Sequence, residues 1–181
     1  MTFSERVIGA AKLDTRVYEE VEADRTATRQ AFAVIAMATI AEIISRTRLG
    51  AGLVLPILLG ALIGWLIWGF LIYLVGVYLL PEPATHANIC DLLRTVGFAA
   101  SPGLLNVFAI IPIAGAVIRF VVWIWLIMAT VVAVRQALDY TSTGRAVAVC
   151  LIASLVGFAV RLILAVTFVG MTFLTARSLI F

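Results

Sequence analysis

The chain has 181 residues, of which 64% are hydrophobic and 13% are charged. A soluble globular domain is about 45–50% apolar and about 25% charged, so this composition excludes an ordinary water-soluble protein. The net charge of +3 is too small to indicate a nucleic-acid-binding face, and the two cysteines, Cys90 and Cys150, imply no disulfide framework. We therefore expect a single membrane bundle of several helices.

Residues 1–27 predict an amphipathic segment on the cytoplasmic side. Thr2 and Glu5 have the spacing of a capping box at the start of a first short helix. Asp14 is placed to cap a second one. We expect these helices to be interfacial and to dock against the end of the bundle, with a partner-binding arm as the alternative.

Residues 28–181 predict an all-α membrane domain with five transmembrane helices, at about 28–45, 53–80, 95–111, 116–138 and 146–172. The third and fourth spans form one apolar stretch, 96–134, whose only charge is Arg119. One helix needs about 20 apolar residues to cross a bilayer, and this stretch has about twice that number. The chain must therefore fold back, and residues 111–115 carry the turn signal.

The second span contains Gly60-x-x-x-Gly64, a spacing that lets another helix approach closely. We expect this notch to pack against a sister span of the same chain, and a homodimer seam is the alternative.

The third span begins with small residues around Gly97 and contains Pro102. Proline cannot donate to the carbonyl four residues earlier, so the Phe98 carbonyl is left free. In lipid that oxygen needs another donor, and Ser101, Asn106 or a neighbouring helix is the candidate.

Arg119 and Arg161 lie within predicted spans. An arginine at the centre of a span costs about 2.5–3.5 kcal/mol on insertion scales, so both are expected to have partners. Glu42 lies at a similar depth to Arg119 and could form an interhelical ion pair with it. The competing interpretation is a local Glu42–Arg46 pair, four residues apart on one helix.

Arg161 shares a helix face with Cys150, Ser154 and Gly157. It could bind an anion or a lipid headgroup, or it could donate to Asn106 or to carbonyls freed by Pro102. We favour the structural role. Near the cytoplasmic face, Arg135 and Asp139 have the spacing of an ion pair, which Asp91, Arg94 and Arg145 could join. Such a cluster predicts an interfacial latch, or alternatively a docking surface.

Five spans place the two termini on opposite sides of the membrane. With the N-terminus in the cytoplasm and the C-terminus outside, eight cations face the cytoplasm and three face the other side, as the positive-inside rule requires. The cytoplasmic set is Arg6, Lys12, Arg16, Arg25, Arg29, Arg94, Arg135 and Arg145, and the opposite set is Arg46, Arg48 and Arg177.

The sequence predicts no catalytic, cofactor-binding or metal-binding residues. His86 is the only histidine, and no paired carboxylates, zinc motif, nucleophile elbow or phosphate loop occurs. A lone His and two distant Cys residues do not supply a tetrahedral metal site.

Several motifs together point to a known family. They are Gly97-Phe98-Ala99-x-x-Pro102, Pro112, Trp123 or Trp125, the stretch Val134-Arg135-Gln136-Ala137-Leu138-Asp139-Tyr140, Arg145-Ala146, and the N-terminal Tyr18-Glu19-Glu20-Val21 and Asp24…Thr26-Ala27…Gln30-Ala31. They resemble the bacterial branch of the Yip family, the Ypt/Rab-interacting membrane proteins, over nearly the whole chain. The resemblance implies five spans, a cytoplasmic N-terminus and a non-enzymatic role.

We therefore expect a scaffold or adaptor in a bacterial inner membrane, with lipids, other integral membrane proteins or a second copy as partners. An accessory subunit of a larger membrane complex is a close variant. A small transporter or channel that uses Arg161 to attract anions is the alternative.

Overall fold

The computed structural model describes residues 1–46, 51–83, 85 and 87–178, so Arg48 and His86 lie outside it. No strand occurs in these ranges. A 3₁₀ turn (Ala51–Leu53) precedes α4, a π-helical turn (Val75–Leu79) extends it, and a 3₁₀ segment (Ser101–Ile110) follows α5. The α-helices are α1 (Phe3–Ala11), α2 (Thr15–Ala23), α3 (Ala27–Ser45), α4 (Val54–Leu74), α5 (Ile89–Phe98), α6 (Ala114–Ala137) and α7 (Thr143–Ser178).

Five helical stretches are long and apolar enough to cross a membrane. This confirms the predicted all-α, multi-pass fold. Their bounds are Ala27–Ser45, Val54–Leu79, Ile89–Ile110, Ala114–Ala137 and Thr143–Ile163.

The third span begins earlier than the predicted residue 95. Asn88 caps α5 by accepting a hydrogen bond from the Cys90 amide at 3.0 Å, so the helix starts at Ile89. The connector helix and the start of the third span are thus one continuous helix.

This third span is the centre of the bundle. In its apolar window 56% of the residues are buried, against 17–28% in the other four spans. Phe98 is fully buried, and α3, α4 and α6 all pack against this span. At Gly97 an added Cβ would lie 2.7 Å from Ala31 Cβ, so α3 and α5 approach as closely as small residues permit.

At Pro102 the third span changes from α-helix to 3₁₀ helix. The Ser101 hydroxyl donates to the free Phe98 carbonyl at 2.6 Å, as the sequence predicts. With three residues per turn, every third side chain lies on one face. Gly103 and Ala109 are buried on one such face, whereas Leu105 and Phe108 on another are exposed.

The N-terminal helices pack onto the bundle rather than extending from it. Thr2 and Glu5 form the predicted capping box. Tyr18 is fully buried and donates to the Ala10 carbonyl at 3.0 Å. Trp125, in the middle of α6, donates to the Ala11 carbonyl at 2.7 Å. The N-terminal segment therefore packs along the sides of α5 and α6, and not only against the end of the bundle.

Candidate ligand-binding groove

The Gly60/Gly64 notch has no partner within the described part of the chain. An added Cβ at either glycine would meet nothing within 4 Å. The prediction that a sister span fills this notch is therefore wrong. The close contact on α4 occurs instead at Gly69, where an added Cβ would lie 2.4 Å from the Leu93 side chain.

Helix α7 explains why the notch stays open. Its buried residues, Ala146, Val149 and Ala153, all lie in its first third and pack against α4 and α6. Beyond Ala153 the described residues of α7 are exposed, apart from half-buried Gly157, where an added Cβ would lie 3.4 Å from the Leu71 side chain. The described part of α7 beyond Ala153 therefore buries little of its surface, and a cavity lies between it and α4.

Three cavities lie beside α6 and share lining residues. The first, of about 390 Å³, contains Arg161, Gly60 and Gly64 in its lining and is called the Arg161 cavity below. A second, of about 230 Å³, is lined by Glu42 and Asn106. A third, of about 500 Å³, is lined by Cys150 and Ser154, among others. Leu126 lines all three, and these adjoining cavities are together called the lateral groove below.

Arg161 is exposed and, within the described residues, has no hydrogen-bond or ion-pair partner. The favoured structural role, donation to carbonyls freed by Pro102 or to Asn106, is therefore wrong. Ser101 already occupies the Phe98 carbonyl, and the Asn106 side-chain oxygen is buried without a partner.

The same cavity is lined by Trp65, which the sequence analysis did not select. Trp65 is 8% exposed, and its indole nitrogen is buried without a hydrogen-bond partner. The other polar groups nearby are already satisfied: Thr130 donates to the Leu126 carbonyl at 2.8 Å and Ser154 to the Cys150 carbonyl at 2.7 Å. Only the position of Trp65 directly after Gly64 could have drawn attention to it.

Glu42 pairs with Arg46 rather than with Arg119. The Arg46 guanidinium lies 2.7 Å from the Glu42 carboxylate, on the same helix. Arg119 instead donates to the Ala109 carbonyl at 3.2 Å, at the end of the 3₁₀ segment. Because a 3₁₀ helix leaves its last carbonyls free, Arg119 has a local acceptor and needs no carboxylate.

At the N-terminal end of the bundle, the predicted Arg135–Asp139 ion pair does not form. Helix α6 ends at Ala137 and Asp139 has φ = 52°, so the four-residue helical spacing is lost before Asp139. Arg135 donates instead to the carbonyls of Tyr140 and Thr141, at 3.2 and 3.3 Å.

Tyr140 and Glu82, which the sequence analysis did not select as site residues, connect the loops at the N-terminal end of the bundle. The Tyr140 hydroxyl lies 2.9 Å from the carbonyls of Gly76 and Leu80, beside the π-helical turn. The Glu82 carboxylate accepts from the Thr141 amide at 2.9 Å and lies 3.5 Å from Arg145. No local sequence signal links these loops, which are about 60 residues apart.

Arg94 on α5 connects this helix to α2 through hydrogen bonds. Its guanidinium is buried, pairs with Asp91, and donates to the carbonyls of Val21 and Glu22. These bonds satisfy carbonyls at the end of α2 that the helix leaves free. Asp91 and Arg94 thus belong to the docking of the N-terminal segment rather than to an Arg135–Asp139 latch.

The Glu22 side chain lies near the same groups. Burial raises its pKa to about 7, with neighbouring Asp139 and Asp91 adding to the effect and Arg94 opposing it. Because this value lies above the usual 4.5, the folded protein holds a proton that the unfolded chain releases between about pH 4.5 and about pH 7. The folded state therefore loses stability as the pH rises through that window.

Within the part of the chain that the structure describes, no group of three or more His, Cys, Asp or Glu side chains could hold a metal ion. The five apolar helices define a multi-pass membrane protein, and its most distinctive feature is the lateral groove. No family model matches this sequence, and comparison with curated proteins and with solved structures gives no match.

Proposed function

We propose that this protein is a non-enzymatic membrane adaptor, which holds other membrane proteins or lipids in its lateral groove. The observation that supports this function is the open Gly60/Gly64 notch, which no other part of the described chain fills. Small residues on a transmembrane helix favour close approach of another chain. An accessory subunit of a larger membrane complex would use the same surface.

The Yip-family resemblance is part of the same proposal. It is supported by the central position of its most specific motif, because Gly97, Phe98, Ala99 and Pro102 are all buried at the core of the bundle. We place the protein in a bacterial inner membrane with a cytoplasmic N-terminus, on the asymmetry of the cations between the two sides.

Site-specific photo-crosslinking in native membranes tests the adaptor function. A photoreactive side chain at Gly64 has room, since nothing lies within 4 Å of an added Cβ. Val117 is the matched control, because it is 63% exposed on α6 and does not line the groove. We expect discrete adducts with one protein or lipid species at Gly64 and only diffuse lipid labelling at Val117. The same adduct pattern at both positions would refute the function.

A small anion transporter or channel is the second candidate, and the unpaired guanidinium of Arg161 in the Arg161 cavity favours it. It predicts anion flux in proteoliposomes that Arg161→Leu abolishes without loss of folded protein. Absence of flux in the wild type, or flux that survives in Arg161→Leu, would eliminate it.

A further inference from the structure

We propose that the Arg161 cavity binds an anionic phospholipid, with the lipid phosphate held by the Arg161 guanidinium. This inference rests on the adaptor function proposed above and specifies one ligand for its groove. It combines three observations: an unpaired guanidinium, its depth along α7, and the shape of the notch beside it.

The charged side chain in this cavity has no partner. Arg161 is exposed and forms no hydrogen bond or ion pair with the described residues. A guanidinium within a membrane span needs a polar or charged partner, and a phosphate offers several acceptor oxygens for charge-assisted, bidentate hydrogen bonds.

Arg161 lies within reach of the leaflet opposite the N-terminal end. Arg145 marks the N-terminal end, since it donates to the Pro81 carbonyl in the loop there. Arg161 follows 16 positions later, which places it about 24 Å along α7 at 1.5 Å per residue. The hydrocarbon core is about 30 Å thick, and an intramembrane arginine draws headgroups towards itself by snorkelling and local thinning.

The shape of the cavity suits the tail of the same molecule. Gly60 and Gly64 present a surface without side chains on one wall, and nothing lies within 4 Å of their added Cβ atoms. The lining continues through Leu126 into the third cavity, of about 500 Å³, which is mainly apolar. An acyl chain can lie along this wall while its phosphate reaches Arg161.

Charge favours a lipid over a second copy of the chain. A second copy would have to supply a carboxylate at the depth of Arg161, and Glu42 is the only acid between Asp24 and Glu82. Glu42 is already paired with Arg46 at 2.7 Å. Lipid headgroups supply phosphate at the leaflet nearest Arg161, so no partner protein is needed to neutralise it.

Native mass spectrometry of the full-length protein in mild detergent tests this inference. We add phosphatidylglycerol or phosphatidylcholine with identical acyl chains and measure the bound fraction of each. We expect wild type to prefer phosphatidylglycerol by about tenfold, because both lipids carry the phosphate but the choline cation of phosphatidylcholine weakens its attraction to Arg161. Arg161→Gln should abolish the preference, whereas Arg16→Gln, at an exposed ion pair with Asp14, should keep it.

Gly64→Leu is a second variant, which tests the notch while leaving Arg161 unchanged. Its side chain enters open space, so the protein should fold, and it should lower the binding of both lipids by occupying the notch. Inorganic phosphate at millimolar concentration should not displace the lipid; displacement would indicate a site for a free anion and overturn the inference. Wild-type selectivity that persists in Arg161→Gln, or unchanged binding in Gly64→Leu, would also overturn it.

The two proposals can fail separately. If crosslinking from Gly64 captures a protein while purified wild type shows no lipid preference, the adaptor function stands and the lipid assignment falls. If neither a protein nor a lipid is captured, both fall.

Discussion

Alanine at Gly97 and alanine at Gly64 should have opposite effects on stability. At Gly97 the new Cβ would lie 2.7 Å from Ala31 Cβ and 3.4 Å from Ala31 Cα, well inside the roughly 3.5–4.0 Å at which carbon atoms pack. Backbone atoms cannot yield as a flexible side chain can, so overpacking should cost about 1–3 kcal/mol. At Gly64 nothing is displaced, and the better helix propensity of alanine should gain up to about 1 kcal/mol.

The propensity gain is the same at both glycines, so the two variants should differ by the overpacking cost, about 1–3 kcal/mol. For a chain of this size each kcal/mol shifts Tm by about 2–4 °C, so the variants should melt about 2–12 °C apart. Thermal unfolding in one detergent, followed by far-ultraviolet circular dichroism, measures the difference directly. Equal melting temperatures, or a more stable Gly97→Ala, would show that α3 and α5 do not meet at Gly97 as described.

Three further predictions concern the N-terminal end. Arg94→Gln should lower the free energy of unfolding by about 2–3 kcal/mol, because buried acceptors lose their donor. Arg16→Gln, at an exposed ion pair, should lower it by less than about 1 kcal/mol. Equal losses of stability for the two variants in thermal unfolding would contradict the difference in burial. The Tm of the wild type should fall as the pH rises from about 5 to about 7.5, and Glu22→Gln should remove most of that pH dependence. Parallel pH profiles for the two proteins would show that ionisation of Glu22 does not cause the loss of stability. A membrane-impermeant maleimide should label exposed Cys90 only from the cytoplasmic side, with Cys90→Ser as the control; labelling only from the periplasmic side would reverse the proposed orientation.

The spans could be predicted from the sequence because a bilayer imposes a length on every apolar helix. The Ser101–Phe98 bond was also predictable, since Pro102 identifies which carbonyl is freed and Ser101 lies within reach of it. The start of α5 was not, because its amphipathic first turns have the pattern of a polar connector although they belong to the span.

The groove was harder to predict because it depends on relative helix positions. Gly60 and Gly64 indicate a thin surface, but their spacing does not say which chain approaches it. Helical periodicity places Arg161 on a face of α7, yet the loss of burial along α7 after Ala153 decides what that face meets. Likewise the spacing of Arg135 and Asp139 predicts a pair only while the helix continues, and α6 ends between them.

The 3₁₀ geometry of the third span has a mechanical consequence. At about 2.0 Å per residue its ten residues cover about 20 Å, a distance for which an α-helix needs about 13 residues. The centre of the bundle is thus longer than an α-helix of the same ten residues would be. If it wound into an α-helix it would shorten by about 5 Å and its far end would turn by about 200°, because each residue would rotate by about 100° instead of about 120°. Asn106 and Ala109 would then swing away from the surfaces they now contact, so winding of this segment is coupled to the shape of the groove beside it.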